Sequence, residues 1–371
     1  MTDAGTLRKS RWLDVYQCPA CGGPLLKNPD AWECTSCRTR YPVRAGVPLL
    51  NVAASHSPGF VGVMKRDDSQ LASFIGTAES HGWEAALRAV QTPGEPDRVL
   101  EAAAPNRVSW RHAANLAPGS VVVDIGAGTG GVACQLAADC SVVAIDRSFI
   151  DAAFVAVRAR QQKLNTLDSI VAEGSRLPLS SGIADLVTLI GVLEWVPADF
   201  PDRDPRESQL EALREVRRVL KPNGCLYLAI ENRYYFGYYL GVPEPHARLR
   251  YVSLMDREAA DRYSRDTRDR PFLELTHSLP DYRTLLAEAG FQRVESYWLY
   301  PDYRLTHAVV PVDDPAVARW FSDQHLDPRS HHRLFEQGLY SFFRFSPPDF
   351  LAYSVRDYGF VAWAEDTERH D

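Results

Sequence analysis

Val121–Gly131 reads Val-Val-Val-Asp-Ile-Gly-Ala-Gly-Thr-Gly-Gly, and this stretch decides the fold of the 371-residue chain. A β-branched run that ends in an acid predicts a strand buried on both faces of a parallel sheet. Gly126, Gly128 and Gly130 then allow the backbone to turn sharply and to approach a ligand where a Cβ atom would collide. Val132–Ala138 has a helical pattern. The stretch therefore predicts a strand, a glycine loop and a helix, with a nucleotide-like ligand at the helix N-terminus.

The glycine loop is compatible with two classes of cofactor, a dinucleotide and S-adenosylmethionine. Gly126, Gly128 and Gly131 also match the dinucleotide fingerprint, so the glycines alone do not decide between them. The carboxylate of Asp124, at the strand end, would repel the pyrophosphate of a dinucleotide but attract a ligand with a cationic amino-acid end. S-adenosylmethionine, with its sulfonium and ammonium groups, is such a ligand. We therefore predict an S-adenosylmethionine site that includes Ala127; a tight turn without a ligand and an NAD-dependent enzyme are the alternatives.

A second acid ends the next predicted strand. Ser141–Asp146 is that strand, and Asp146 lies twenty residues past Gly126. An acid at this position accepts hydrogen bonds from the ribose hydroxyls of a nucleoside. Arg147 follows it and is placed to cover the adenine. The alternative role of Asp146 is to cap the helix predicted over Ser148–Leu164.

Two further loops leave predicted strands at the same edge of the sheet. Glu173, Gly174 and Ser175 begin the first loop, where Glu173 is placed to accept a hydrogen bond from the adenine amino group; a solvated loop is the alternative. Gly191 follows the strand predicted over Asp185–Ile190. Ligands in such sheets bind at the carboxyl ends of the strands. We therefore expect Gly191 to face the methyl donor.

Four of the seven cysteines have the spacing of a metal site. Cys18 and Cys21 form one Cys-x-x-Cys pair, and Cys34 and Cys37 form a second pair twelve residues later. Four thiolates close a tetrahedral shell around zinc and leave no open position for chemistry. We predict a structural Zn²⁺ ribbon. Four reduced cysteines without an ion are the alternative, and a redox role fits the spacing less well.

Composition narrows the class of protein. The hydrophobic content of 45% allows a sizeable core, and the net charge of −7 argues against a broad nucleic-acid footprint. No apolar run approaches the roughly 18 residues that span a membrane. Met1–Arg11 is polar and lacks the apolar core of a signal peptide. We expect a cytoplasmic protein without a membrane span.

Taken together, these motifs resemble class I S-adenosylmethionine-dependent methyltransferases. The resemblance covers roughly residues 116–230 and includes the acid-tipped strand with its glycines, Asp146, the loop Glu173–Leu179, Asp185 and the turn Leu220–Gly224. It implies an α/β, Rossmann-like sheet of seven strands, the last antiparallel, with helices on both faces. It also implies that the glycine loop holds the methionine end of the cofactor and that Asp146 holds the ribose.

The chain departs from this family at two positions. Glu173 stands on the adenine side, where the family usually has Asp. Trp195 follows Leu193-Glu194, where His is frequent in the family. The second change removes a candidate general base and favours a more apolar acceptor.

The cysteine-bearing stretch Cys18–Asn51 resembles two groups of proteins. One group comprises small zinc-binding proteins that activate tRNA, rRNA and protein methyltransferases. The other is the N-terminal ribbon of bacterial large-subunit rRNA guanine methyltransferases. In both groups the ribbon contributes to contact with a partner or with RNA, so the resemblance implies one of these contacts for this chain.

The stretch after the fifth predicted strand, Glu231–His246, is dense in aromatic and polar side chains. Glu231 and Arg233 leave a strand's carboxyl end beside the expected cofactor, and Arg233 is suited to bind a carboxylate or phosphate. His246 is suited to accept a proton from a hydroxyl group at neutral pH. We therefore predict Glu231, Arg233 and His246 as catalytic candidates. A surface insertion with a structural His is the alternative.

The predicted domains follow from these motifs. A zinc ribbon spans residues 1–52, a linker and helical lead-in spans 53–115, and the methyltransferase domain spans 116–371, with a substrate-side insertion at about 231–275. Towards the C-terminus, helices are predicted over Ala316–Phe321 and His331–Phe345, and strands over Phe291–Tyr300, Phe350–Val355 and Gly359–Ala364. The last two are expected to complete an antiparallel edge.

The sequence thus predicts methyl transfer from S-adenosylmethionine to an oxygen or nitrogen atom of a small-molecule or glycan acceptor. An rRNA or tRNA methyltransferase that uses the ribbon to bind RNA is the first alternative. A non-catalytic cofactor-binding partner protein is the second. The oligomeric state does not follow from the sequence.

Overall fold

A computed structural model describes residues 15–51, 68–93, 97–200, 202–325 and 348–365 of the protein. These residues form a small sheet near the amino terminus and a large sheet flanked by helices. The helix predicted over His331–Phe345 lies outside the described residues. No helix within the described ranges is long and apolar enough to cross a membrane.

The small sheet is antiparallel and carries the four cysteines. Its strands, in the order β1-β2-β3-β4, are β1 (Leu25–Lys27), β2 (Ala31–Cys34), β3 (Arg40–Arg44) and β4 (Val47–Pro48). Trp32 and Tyr41 are cross-strand partners on β2 and β3. Cross-strand aromatic pairs of this kind stabilise a sheet that is too small to have a large core of its own.

The large sheet is mixed and has eight strands. They are β5 (Val121–Ile125), β6 (Ser141–Asp146), β7 (Leu167–Val171), β8 (Ala184–Ile190), β9 (Leu220–Glu231), β10 (Arg293–Tyr300), β11 (Ala308–Pro311) and β12 (Asp357–Trp363). The order is β11-β10-β12-β9-β8-β5-β6-β7. Strands β5 to β9 are parallel to one another, whereas β12 is antiparallel to both β9 and β10.

Helices surround the large sheet. The described helices are α1 (Asp68–His81), α2 (Trp83–Ala89), α3 (Arg98–Ala103), α4 (Ala133–Leu136), α5 (Phe149–Gln161), α6 (Pro205–Val219), α7 (Phe236–Tyr239), α8 (Arg257–Arg268), α9 (Leu279–Glu288), α10 (Pro315–His325) and α11 (Pro348–Ser354). Short 3-10 helices lie over Pro105–His112, Leu193–Asp199 and Val252–Leu254. The helix predicted over Ala316–Phe321 is confirmed within α10.

The C-terminal part of the sheet differs from the prediction in two respects. Phe350–Val355, predicted as a strand, lies almost wholly in α11, which begins at Pro348; proline is favoured in the first turn of a helix. The last strand, β12, does not form an edge but lies between β9 and β10, and all seven of its residues are buried. The edge belongs to β11, an eighth strand that the sequence analysis did not predict.

The small sheet packs directly on the large one. The backbone N–H of Leu50 donates to the carbonyl of Val171 at the end of β7 (2.7 Å). The hydroxyl of Tyr16 donates to Asp168 on β7 (3.1 Å). Tyr16 and Leu50 belong to the same hydrophobic core as the buried side chains of the large sheet. The two sheets therefore share one core.

Candidate active site

A cavity of about 320 Å³ opens at the carboxyl ends of β5, β6 and β8. This is the edge at which ligands bind in open α/β sheets, and the volume lies within the range of small-molecule sites. The predicted cofactor residues that line it are Gly126, Gly128, Asp146, Arg147, Gly174, Ser175 and Gly191. The predicted residues that do not line it are Asp124, Ala127, Gly130 and Glu173.

The three alternate glycines of the loop have different roles. All three have positive φ angles, of 71°, 52° and 76°. A Cβ on Gly126 would collide with Val192, and a Cβ on Gly130 would lie 3.0 Å from the sulfur of Cys134. At Gly128 no side chain of the described residues lies within 4 Å of the Cβ position. Packing therefore requires glycine at positions 126 and 130. Gly128 leaves the backbone exposed to the cavity.

Asp146 joins the glycine loop to the end of β6. Its carboxylate accepts hydrogen bonds from the backbone N–H of Gly128 (2.9 Å) and from that of Ser148 (2.8 Å). Burial raises the pKa of Asp146, although these donors act in the opposite direction. Next to it, Arg147 forms an ion pair with Asp199, and both side chains line the cavity. Asp146 thus lies where the sequence places the ribose contact.

Asp124 has a position that the sequence did not predict. Its buried carboxylate does not line the cavity but accepts a hydrogen bond from the hydroxyl of Thr188 on the neighbouring strand (2.6 Å). Burial raises the pKa of Asp124 to about 6, against the lowering effects of Thr188 and Arg107. Asp124 is therefore buried behind the residues that line the cavity.

Several lining residues were missed by the sequence analysis. Arg98 and Glu101 on α3, Arg107 in the following 3-10 helix, and Asp151 on α5 all line the cavity. Residues three apart on a helix share a face, so the spacing of Arg98 and Glu101 is consistent with one ligand-facing side. Nothing in the local sequence brings α3 to the glycine loop, because that approach depends on tertiary packing.

A second group of titratable side chains lies at the ends of β8 and β9. Nε2 of His246 is 3.6 Å from Oε1 of Glu194 and 3.4 Å from Oε1 of Glu231. Nδ1 of His246 lies 2.6 Å from Glu244. The side chains are 7% exposed for His246 and 0%, 4% and 5% for Glu194, Glu231 and Glu244. We call these four residues the Glu–His cluster.

The Glu–His cluster adjoins the cavity wall. Gly191 lines the cavity, and a Cβ on it would lie 2.7 Å from the hydroxyl of Tyr303, which donates to Glu231 (3.0 Å). Trp195 also lines the cavity, and its ring meets that of His246 edge-on, with centroids 4.7 Å apart. One layer of side chains thus separates the cluster from the predicted cofactor.

The charge state of His246 differs from the expectation for a general base. Burial acts to lower its pKa, but Glu231, Glu244 and Glu194 outweigh burial and raise the pKa to about 10. Burial and Glu231 raise the pKa of Glu194 to about 8. Without a further cation, His246 keeps its proton at neutral pH and is not free to accept one.

Arg233, the third catalytic candidate, does not join this cluster by a described contact. Its guanidinium donates to the carbonyl oxygens of Ser253 (3.0 Å) and Met255 (2.9 Å). The same side chain lies over the ring of Tyr234. These contacts occupy Nε and one terminal nitrogen of the guanidinium and hold the segment after β9 in place. The sequence around Arg233 does not predict that its side chain binds the backbone carbonyl groups of residues about twenty positions later.

The four cysteines of the small sheet converge. Cys18 and Cys37 have sulfur atoms 3.6 Å apart, and Cys21 and Cys34 have sulfur atoms 3.5 Å apart. All four sulfur atoms lie within 4.8 Å of one another. Thiolates bound at about 2.3 Å to one tetrahedral zinc ion lie about 3.8 Å apart. The geometry therefore fits such an ion.

Comparison with known proteins agrees with the fold. Residues 123–228 match a family model described as a methyltransferase domain. The matched stretch runs from β5 into β9. The fold is the α/β, Rossmann-like fold that the sequence predicts for class I S-adenosylmethionine-dependent methyltransferases, and the cavity lies at the ligand-binding edge of the large sheet.

Individual relatives cover parts of the chain. A 179-residue stretch, 47% of this chain, is 30% identical to a malonyl-[acyl-carrier protein] O-methyltransferase from Geobacter sulfurreducens and covers 57% of it. A 43-residue stretch is 40% identical to a UPF0434 protein from Janthinobacterium sp., covering 11% of this chain and 72% of that protein. A solved phosphoethanolamine N-methyltransferase 2 from Haemonchus contortus is 15% identical with a TM-score of 0.42, covering 79% of this chain and 60% of that one. The chain spans less than two thirds of both methyltransferases.

Proposed function

We propose that this protein transfers the methyl group of S-adenosylmethionine to an oxygen or nitrogen atom of a small-molecule or glycan acceptor. One observation carries the proposal. A single ligand-sized cavity is lined by the glycine loop, by the acid at the end of β6 and by the loops after β7 and β8. The volume of about 320 Å³ suits a single nucleoside-sized ligand.

The lining residues suit the parts of this cofactor. Gly126 and Gly128 leave room for the methionine end, and the carboxylate of Asp146 suits the ribose hydroxyls. Gly174 and Ser175 lie where the adenine is expected. The bound cofactor supplies a methyl group on a positively charged sulfur with a neutral leaving group, so alignment of the acceptor provides much of the rate.

The cavity also suits the charge of this cofactor. Asp146 and Asp151 line it, and Asp124 is buried behind the glycine loop. These acidic groups, on two strands and one helix, support a cationic donor, although Arg98, Arg107 and Arg147 also line the cavity. Burial raises the pKa of each of these carboxyl groups, and a cation in the cavity would favour their ionised forms.

The acceptor side is assigned to the Glu–His cluster. Glu231 and His246 lie one layer behind Gly191 and Trp195, which line the cavity. We propose that these two residues bind the acceptor and that Arg233 positions the segment between them. The relative named as an O-methyltransferase supports an oxygen acceptor. The net charge of −7 disfavours a long RNA.

We further propose a structural zinc ion at Cys18, Cys21, Cys34 and Cys37, in a ribbon that stabilises the methyltransferase domain. The sulfur geometry, the similarity of 43 residues to a UPF0434 protein and the shared core support this proposal. A thiolate site needs reduced cysteines, which suits the predicted cytoplasmic location. We likewise propose that the chain is divided into a zinc ribbon at residues 1–52, a linker and helical lead-in at 53–115 and a methyltransferase domain at 116–371.

Calorimetry and labelled methyl transfer test the function. We expect the purified protein to bind S-adenosylmethionine and not NAD, and to transfer labelled methyl groups into the small-molecule or glycan fraction of a cell extract. Labelling confined to RNA, together with an affinity that falls steeply with salt, would instead favour an RNA acceptor. Binding of NAD alone, or of neither cofactor, would contradict the proposal.

A further inference from the structure

Among the residues that the structure describes, three carboxylate oxygens in the Glu–His cluster have no hydrogen-bond partner. They are both carboxylate oxygens of Glu194 and Oε2 of Glu231. Glu194 is fully buried, and Glu231 is 3% exposed. A buried carboxylate is costly unless it is hydrogen-bonded or bound to a cation. These oxygen atoms are therefore available to bind a positively charged ligand.

The distances within the cluster suit ligands of one ion better than hydrogen bonds. Nε2 of His246 lies 3.6 Å from Glu194 and 3.4 Å from Glu231, both beyond the usual length of an N–H···O bond. Two ligands at about 2.0–2.2 Å from a common ion lie about 3.0–3.6 Å apart. Ligand atoms of these three residues all lie within 4.8 Å of one another.

The surroundings of His246 orient its ring for metal binding. Nδ1 lies 2.6 Å from Oε1 of Glu244, which fixes Nδ1 as the donor and directs Nε2 at Glu194 and Glu231. Oε2 of Glu244 accepts from the backbone N–H groups of His246 and Ala247. A histidine held by a carboxylate through its distal nitrogen is the usual arrangement of metal-binding histidines.

Further titratable groups surround the cluster. Asp357 lies opposite Glu231 on β12 and is fully buried, and burial raises its pKa to about 8. Arg356 pairs with Asp302 and Asp357 at 3.4 and 3.8 Å, and Arg304 and Arg356 both interact electrostatically with Glu231. A divalent ion in the cluster would favour the ionised forms of Glu194 and Asp357.

We propose that Glu194, Glu231 and Nε2 of His246 bind a divalent first-row transition ion. Two carboxylates and one imidazole form a mixed oxygen–nitrogen set that suits Mn²⁺. Three protein ligands leave open positions at this ion. If the proposed methyl transfer holds, those positions bind an oxygen atom of the acceptor on the opposite side of Trp195 from the methyl donor. Tyr303, which donates to Glu231, acts as a positioning residue.

Mn²⁺ is the test probe, because it does not compete well for the four thiolates of the ribbon. The full-length protein is treated with a mild carboxylate chelator and titrated with Mn²⁺ by electron paramagnetic resonance. We expect one ion per chain in the wild type and an affinity reduced at least about tenfold in Glu194→Gln and His246→Gln. Glu258→Gln, an exposed glutamate on α8, is the matched control and should bind as the wild type does.

Further readouts separate the possible failures. Tyr303→Phe keeps all three ligands but removes the hydrogen bond to Glu231, and should weaken Mn²⁺ binding less than Glu194→Gln does. Absence of Mn²⁺ binding in the wild type, or equal binding in both ligand variants, would overturn the metal site. S-adenosylmethionine binding is measured on the same samples. Cofactor binding without Mn²⁺ binding rejects only the metal site, and Mn²⁺ binding without methyl transfer rejects only the function.

Discussion

Asp146 has partners in the protein and one expected partner in the ligand. Its carboxylate holds Gly128 and Ser148 through their backbone N–H groups and also lines the cavity. A single side chain thus shapes the glycine loop and faces the cavity in which we propose that the ribose binds. Removal of the carboxylate should affect both.

We expect Asp146→Ala to weaken S-adenosylmethionine binding by about tenfold or more, equivalent to about 1.4 kcal/mol. The reason is the loss of an acceptor for the ribose and of the hydrogen bond to Gly128. Isothermal titration calorimetry checks this, with exposed Asp266→Ala on α8 as the control. Equal affinities in the two variants would contradict the assignment of Asp146.

The raised pKa of Asp124 makes the stability of the protein depend on pH. Its pKa is raised to about 6 by burial, whereas an unfolded Asp titrates near 3.9. The folded state therefore binds the proton more tightly, and the stability contributed by this group falls as the pH rises from about 4 to about 6. The full cost, on the order of 3 kcal/mol, applies above that window.

We expect Asp124→Asn to gain stability relative to the wild type as the pH rises through this window, with a plateau above about pH 6. The hydroxyl of Thr188 can still donate to the amide oxygen. Thermal melts of both proteins without cofactor, from pH 4 to pH 8, measure the difference, and titration of other groups cancels in it. A difference that does not change with pH would show that Asp124 has no raised pKa.

At the scale of elements, the glycine loop between β5 and α4 combines packing with ligand access. Gly126 packs against Val192 from the loop after β8, whereas Gly128 faces open space. Both have positive φ, so an alanine is strained at either position. The steric clash is specific to Gly126.

We expect Gly126→Ala to be less stable than Gly128→Ala by on the order of 1–3 kcal/mol, because only the first variant overpacks the loop. Urea unfolding without cofactor measures this. Adding Val192→Ala to Gly126→Ala should restore part of the loss, and Val192→Ala alone is the control. Equal unfolding midpoints for the two alanine variants would reject this division of roles.

At the scale of the whole molecule, the small sheet and the large sheet share one core. Tyr16, Cys18 and Leu50 pack with the buried side chains of the large sheet. The guanidinium of Arg176, in the loop after β7, donates to the carbonyl of Ala20 beside the first cysteine pair (2.9 Å). The proposed zinc site is therefore linked to the loop that carries Gly174 and Ser175.

We expect zinc removal, or Cys34→Ser, to lower the melting temperature of the whole protein by about 5 °C or more, since each 1 kcal/mol shifts a protein of this size by a few degrees. The metal cross-links a module too small to fold by its own core. Differential scanning calorimetry together with zinc quantification measures this change. The control is Ser36→Ala, which alters an exposed residue between Cys34 and Cys37. An unchanged transition in zinc-free protein would falsify the stabilising role.

The sequence by itself determined the features that depend on local order along the chain. Val121–Gly131 predicts the first strand and its glycine loop, and the ends of β6 and β8 predict Asp146 and Gly191 in the cavity wall. These predictions hold because residues at the ends of adjacent parallel strands must meet at one edge of a sheet. The spacing of the cysteines likewise fixes which four sulfur atoms converge.

Only the tertiary structure decided features that depend on contacts between distant segments. It turned Asp124 towards Thr188, joined α3 to the glycine loop, placed β12 inside the sheet and bound Arg233 to backbone carbonyls. It also brought Glu194 to His246, although the two residues lie fifty-two positions apart. Local periodicity contains no information on such pairings, because long-range packing selects them after the strands and helices are formed.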